Sequence, residues 1–415
     1  MKNLFDLNRK MYPRYLLGLF ALITCTSCLS KPSVLPVIDV DHPSGSVDLK
    51  LSDLMEHITI VPLETQDNLL LSTAGTSFTI TNNYILAATQ EKLLQFDRQG
   101  NYIRTLAYKG NGPNEFNSVM NLLVDEQREL IYYSQFSTKE SVSSIDLKTG
   151  GFPTFFKPNF PAFSIQAIDS DGSIYGFPSP TAINIDEPAK KMEDSVILAF
   201  RYNPHLENSV TTFKGSHNFF SNQLFQTLFR QGNHLYYHFP SYSDTLFQIY
   251  QKQMIPQYVI VIKNQLTDFF KGGSFLRFLF SATEGTVVIK RETQIFEGNG
   301  LTVITRALDY LLINKKTDLQ RIKSMTIDPV AFTIQMDNYM FLMNEHRDDE
   351  VIIDPIPLAS GVWGYYAVEA YNMMKLIDHA LKSNRLSTGE RKALEVLSSQ
   401  IDDESNPVLI IGKIK

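Results

Sequence analysis

Apolar and polar positions alternate in short bursts along this chain, and turn residues separate the bursts. Ile58-Thr59-Ile60-Val61-Pro62-Leu63 opens the series. Ser77-Phe78-Thr79-Ile80, Tyr84-Ile85-Leu86-Ala87, Leu93-Leu94-Gln95-Phe96 and Tyr102-Ile103-Arg104-Thr105-Leu106 follow. The turns between them are Thr81-Asn82-Asn83, Thr89-Gln90-Glu91 and Asp97-Arg98-Gln99-Gly100, and Gly100 supplies the positive-φ residue that a tight hairpin needs. Runs this short are not stable as isolated strands, so the pattern predicts small antiparallel sheets that hold one another.

The plan recurs. Leu122-Leu123-Val124-Asp125, Leu130-Ile131-Tyr132-Tyr133 and Val142-Ser143-Ser144-Ile145-Asp146 form a second set, with Lys148-Thr149-Gly150 turning into Phe152 to Phe156. Further sets lie around Ile165 to Gly176 with the turn Asp169-Ser170-Asp171-Gly172, around His234 to Ile249, and around Leu301 to Thr305 followed by Tyr310 to Ile313. Repeats of roughly 45 to 55 residues, each a four-stranded sheet, read as β-propeller blades, and residues 49 to 360 have room for about six.

Beyond residue 360 the period changes. Val368, Tyr371, Met374, Ile377 and Leu381 fall on one helical stripe. Ser387-Thr388-Gly389-Glu390 is a capping box that opens a second helix over Arg391 to Ser399, and Asp402 to Pro407 break it. Val408 to Ile414 then reads as a strand that closes the ring by pairing with N-terminal blade material, which removes an exposed edge. The expected fold is all-β: a six-bladed β-propeller over 49–415, with a helical elaboration at 368–400 and a ring-closing C-terminal strand.

Composition agrees. With 415 residues the chain exceeds one ordinary core, and 28 Phe and 19 Tyr against a single Trp favour pleated, half-buried surfaces. A net charge of -6 without a basic run gives no footprint for nucleic acid. The two cysteines, Cys25 and Cys28, both lie in the leader, so the body has neither a disulfide scaffold nor a cysteine zinc site. In that leader Lys2, Arg9, Lys10 and Arg14 precede the apolar stretch Leu16 to Ile23, the layout of a signal peptide. Cys25-Thr26-Ser27-Cys28 resembles a lipobox. Residues 1–27 are expected to be a lipoprotein signal peptide, with the lipid on Cys28 and Cys25 as the alternative acceptor. Residues 28–48, polar and carrying Pro32, Pro36 and Pro43, read as a linker. No acidic run follows Cys28, which points to the bacterial cell envelope on its periplasmic side.

Several segments resemble the six-bladed β-propeller lipoproteins of Gram-negative bacteria, themselves similar to NHL-repeat propellers. They are Leu51-Ser52-Asp53-Leu54, Ile60 to Thr65, Leu94 to Arg104, Gly110-Asn111-Gly112-Pro113-Asn114-Glu115-Phe116, Ser243 to Phe247 with Pro256-Gln257-Tyr258, and Asn406 to Ile410. Asn114 stands where that family usually has Gly. The resemblance implies the fold and no fixed catalytic set.

Candidate chemistry is sparse. Gly110-Asn111-Gly112-Pro113 lacks the helix N-terminus and Lys of a phosphate loop and reads as an inter-blade turn. Asp169-Ser170-Asp171-Gly172 begins like a calcium loop, but Pro180 holds the twelfth position where a bidentate Glu belongs. Glu345 to Glu350 is the densest charge cluster and reads as a solvated loop. His234 and His238 are about 13 Å apart along a strand, too far for one ion. No G-x-S-x-G elbow occurs. No catalytic, cofactor or metal residue is assigned. The expected function is a membrane-tethered binding or scaffolding propeller for a protein, peptide or glycan partner. A metal-dependent hydrolase or lyase with its site in the channel, and a sensor that signals to a membrane partner, are the other readings.

Overall fold

A sheet of four short strands has two apolar faces and cannot cover both itself. The chain answers this by stacking six such sheets in a ring, so that each covers its neighbours. The computed structural model describes residues 35–110, 112, 115–116, 121–134, 142–152, 155–156, 162–169, 171–178, 196–203, 210–215, 227–231, 234–238, 244–250, 253–263, 273–281, 287–297, 302–314, 318–336, 356–384 and 386–415.

Each blade is an antiparallel meander, with strands A to D from the axis outward. Blade 2 is Ser77–Ile80, Tyr84–Ala88, Lys92–Asp97 and Tyr102–Lys109. Blade 3 is Asn121–Asp125, Leu130–Ser134, Val142–Asp146 and Phe155–Phe156, and blade 4 is Ala162–Ile168, Ile174–Pro178, Val196–Tyr202 and Val210–Gly215. Blade 5 is Thr227–Gln231, His234–His238, Thr245–Tyr250 and Gln253–Val261, and blade 6 is Gly273–Ser281, Val287–Glu297, Thr302–Asn314 and Asp318–Ile327. The A strands of blades 2 to 6 touch in sequence, and that of blade 6 touches Leu358–Ser360 of blade 1, which completes the circle around the axis. The core is interfacial: Leu86, Leu93, Phe116, Ile131, Tyr133 and Ile145 join blades 2 and 3.

Blade 1 draws on both ends of the chain. Leu358–Ser360 and Trp363–Val368 pair onward to Val408–Ile414, which pairs antiparallel with Met55–Pro62 as strand D. Val408, Leu409, Ile410 and Ile411 are all fully buried in this seam. The fold class expected from the sequence, closing strand included, is the fold observed.

Three local expectations differ. Within residues 28–48, read as linker, Val37–Asp39 runs parallel to strand D of blade 5, and Gly45–Lys50 runs parallel to strand D of blade 6. This arm docks through main-chain bonds and a few apolar anchors, Ile38, Val40 and Leu49, so its sequence lacks a full alternating pattern. Residues 302–314 form one strand rather than two, because Val287–Glu297 pairs along its whole length and a bulge at Arg291/Glu292 absorbs the irregularity. The first C-terminal helix starts at Ala370, with Val368 still in a strand. Its buried face is Ala370, Met373, Leu376, Ile377 and Ala380, while Tyr371 is half exposed. We name the helices α1 (Leu51–Leu54), α2 (Ala370–Lys382) and α3 (Thr388–Ser398); α3 carries the expected capping box, Ser387 with Glu390. Among the described residues no helix is long and apolar enough to cross a membrane.

Candidate functional site

In a meander the A–B and C–D turns emerge on one face of the disc, and the B–C and D–A connections on the other. On the first face the described turns are short and fixed by carboxylates. Asp97 Oδ1 accepts from the Gln99 and Asn101 amides at 2.9 Å each, and Gly100 has φ +90°. Asp146 Oδ1 accepts from Lys148 N at 2.8 Å and Thr149 N at 2.7 Å, with Gly150 at φ +73°. In the calcium-like turn Gly172 N donates to Asp169 O at 2.9 Å and Ser173 N to Asp171 Oδ1 at 2.8 Å, which makes it a hairpin turn. Short polar side chains that bond their own backbone hold such tips in place.

Side chains from these tips join one blade to the next. The Arg98 guanidinium of blade 2 stacks 4.2 Å from the centre of the Trp363 ring of blade 1. Burial lowers the Arg98 pKa, and Glu126 opposes this. Trp363 Nε1 and Arg98 Nη1 are enclosed with no hydrogen-bond partner among the described residues. Glu126 of blade 3 accepts from the Asn82 amide at 3.1 Å on each oxygen, and from Asn82 Nδ2. Arg128 donates to Asp125 Oδ2 at 2.8 Å and to the Asp171 carbonyl of blade 4 at 3.2 Å. Arg201 donates to Asp171 Oδ2 at 2.5 Å and to the Tyr175 hydroxyl at 3.2 Å, and Tyr175 donates to Asp169 Oδ2 at 3.3 Å.

The electrostatics follow from this packing. Burial pushes Asp171 upward, but bonds from Ser173 and Arg201 outweigh it and hold the carboxyl below its ordinary range. Burial pushes the Tyr132, Tyr175 and Tyr202 hydroxyls up to about 12. The result is a braced polar surface across blades 1 to 4, with Val362 exposed beside Trp363. It offers hydrogen-bonding groups at fixed spacing next to an apolar and aromatic edge, a composition suited to recognition.

The opposite face carries the helical pair and the glycine turn. Glu115 Oε2 accepts from Gly112 N at 2.7 Å, and its carboxylate fills the space where a Cβ on Gly110 would go. The chain's own carboxylate thus occupies the place a phosphate would take in a glycine loop. On α2, Lys375 lies 4.4 Å from the centre of the Tyr371 ring.

Cys28, Cys25 and the Glu345 to Glu350 cluster lie outside the described residues. His234 pairs with Gln248 Nε2 at 2.7 Å, whereas His238 is 1% exposed. Among the described residues no group of three or more His, Cys, Asp or Glu could hold a metal ion. Sequence reasoning did not single out Arg98, Glu126 or Trp363. The one available signal was that Trp363 is the chain's single tryptophan and sits at the start of a strand.

A family profile described as "Domain of unknown function (DUF4934)" matches residues 35–413. Among solved structures, a protein of Bacteroides fragilis NCTC 9343, provisionally described as exported, superposes with a TM-score of 0.55 at 12% identity, covering 92% of this chain and 100% of that one. The C-terminal WD40 domain of Sif2 gives 0.36 at 10% identity, over 71% of this chain and 90% of that one. The first likeness is one of fold. No curated protein matches.

Proposed function

We propose, from the premise that this chain belongs to the DUF4934 family, that it is a binding propeller tethered to the bacterial envelope, with the lipid on Cys28 and the disc in the periplasm. The braced face of the A–B and C–D turns receives a peptide, glycan or protein partner. The observation that carries this reading is the series of contacts that joins the tips of blades 1 to 4: Arg98 on Trp363, Glu126 on Asn82 and Arg128 on the Asp171 carbonyl, with Arg201 holding Asp171 within blade 4. Such bracing fixes the tips before a ligand arrives, and pre-organisation lowers the ordering cost of binding.

The test has two parts. The labelled mature protein is screened on peptide and glycan arrays. Binding that Val362→Glu abolishes and Tyr371→Glu, on the opposite face, leaves intact supports the reading. Absence of binding, or the reverse pattern, overturns it, and metal-dependent cleavage of arrayed glycans would put a hydrolase or lyase in its place. For the anchor, Cys28→Ser is expected to move the protein from the membrane to the soluble fraction, while Cys25→Ser leaves it at the membrane. The opposite result assigns the lipid to Cys25.

A further inference from the structure

An open recess of about 260 Å³ lies between the arm and blade 6, lined by Pro43, Gly45 and Ser46 of the arm and Arg321 and Lys323 of strand D. Its origin is a register fault. Ser46 lies opposite Arg321 and Val47 opposite Ile322, but the next arm residue, Asp48, lies opposite Ser324. Lys323 is thus skipped, and Gly45, with nothing within 4 Å of its Cβ position, leaves the arm side open. Arg321 and Lys323, two apart on one strand, project from the same face.

The lining itself carries two cations and no carboxylate. Each nearby carboxylate already has a donor: Asp309 binds Arg321 Nε at 2.9 Å and also Arg291, Asp318 accepts from Ser44 Oγ at 2.5 Å, and Asp48 accepts from Ser324 Oγ at 2.7 Å. Among the described residues Arg321 pairs with Asp309 through Nε, and Lys323 and the exposed hydroxyl of Ser46 line the same recess. The volume falls below the roughly 300 Å³ at which sites for drug-sized ligands begin. Two cations and a hydroxyl around so small a space match a tetrahedral oxyanion: Arg offers an edge of parallel donors and Lys a point charge.

We infer that this recess binds a phosphate group, and that the bound anion fastens the arm to blade 6. The ligand touches Ser46 on one side and Arg321 and Lys323 on the other, so it binds the docked arm and not the released one. Mass action then stabilises docking. The phosphate could be free or part of a phospholipid headgroup. The second source rests on the anchor reading, whereas the recess itself does not.

The mature protein in neutral detergent is followed by amide hydrogen exchange. Inorganic phosphate at ten times its dissociation constant is expected to slow arm exchange over 45–50 about tenfold. Lys323→Gln should remove this protection, and Lys290→Gln should keep it. Nanodiscs of phosphatidylglycerol that protect the arm where phosphatidylcholine does not identify the headgroup; protection by inorganic phosphate and by neither nanodisc identifies a soluble phosphate. An equal effect of chloride at matched ionic strength, or protection that survives in Lys323→Gln, overturns the inference. Failure here leaves the array result untouched, because the recess and the braced face share no residue.

Discussion

The ring is fastened twice, and the two fastenings rest on different chemistry. The seam of blade 1 is apolar: Val408 to Ile411 pair with Thr59 to Pro62 and are fully buried. The arm on blades 5 and 6 is largely polar, held by parallel main-chain bonds, by Lys263 N donating to Asp41 Oδ2 at 2.6 Å, and by Arg291 bridging Asp41 at 2.6 Å and Asp309. A fully buried aliphatic side chain contributes about 1.5–3 kcal/mol. The seam strand carries four in succession, whereas the arm has Ile38, Val40 and Leu49 scattered along it, and its partly exposed ion pair adds less than a fully buried one. The seam is therefore part of global stability, and the arm is a segment that can release while the ring stays closed.

The hardest test of that contrast is Asn406. It is 1% exposed and bridges chain segments far apart in sequence: Nδ2 donates to Glu64 O at 2.7 Å and Leu69 O at 2.9 Å, and Oδ1 accepts from Leu71 N at 2.8 Å. Asn406→Ala leaves several backbone groups beside the seam without partners, each costing about 1–3 kcal/mol. A loss of about 3 kcal/mol or more in global stability is expected by denaturant titration, with a single transition retained. A loss under about 1 kcal/mol would remove the seam from its place in global stability.

Gly100 sharpens the same side of the comparison. Its φ is +90°, and a Cβ there would overlap the Pro62 carbonyl at the end of the seam strand. Gly100→Ala should cost about 2–3 kcal/mol, from backbone strain plus the displaced Pro62. Its midpoint should fall almost as far as that of Asn406→Ala. Gly361, also at positive φ but with nothing within 4 Å of its Cβ position, is the control that isolates the packing part.

Arg291→Met tests the arm. Arg291 is 15% exposed, and its removal leaves Asp41 without its ion-pair partner, while Asp309 keeps Arg321. The cost, about 2 kcal/mol, should fall on the arm alone. Exchange over residues 37–50 is expected to accelerate while the global midpoint moves little. A drop in the midpoint matching that of Gly100→Ala would show that arm and seam are one cooperative unit.

The two fastenings also differ in how far the sequence discloses them. The seam was legible because a buried antiparallel strand must be apolar, and Val408 to Ile414 is. Gly100 and the capping box at Ser387 were legible because backbone geometry restricts which residues fit there. The arm was missed because an added edge strand is specified by main-chain groups that any residue carries, so prolines and serines made it read as linker. The braced face was missed for another reason: Arg98, Glu126 and Trp363 lie in different blades, and one sequence does not reveal which turns meet across a ring. Tyr371 was placed on the buried stripe of α2 because Val368, a strand residue, was counted as helical.

The smallest expected effect depends on acid and lies on the arm's side of the ring. His238, in the second strand of blade 5, is 1% exposed, and burial lowers its pKa from 6.5 to about 3. The folded state holds the ring neutral while the unfolded chain takes up a proton below pH 6.5. The stabilisation is therefore complete above pH 6.5 and is lost as pH falls toward 3. From pH 7 to pH 5.5 the loss should be about 1 kcal/mol, since one pH unit in that window is worth about 1.4 kcal/mol. His238→Gln should flatten this slope without removing a charge at neutral pH. The arm strand Val37–Asp39 lies in the same sheet, so arm exchange should rise before the seam responds. If Asn406→Ala and wild type lose stability in parallel over this range while arm exchange stays constant, blade 5 does not uncouple from the seam and the division into a firm seam and a releasable arm fails.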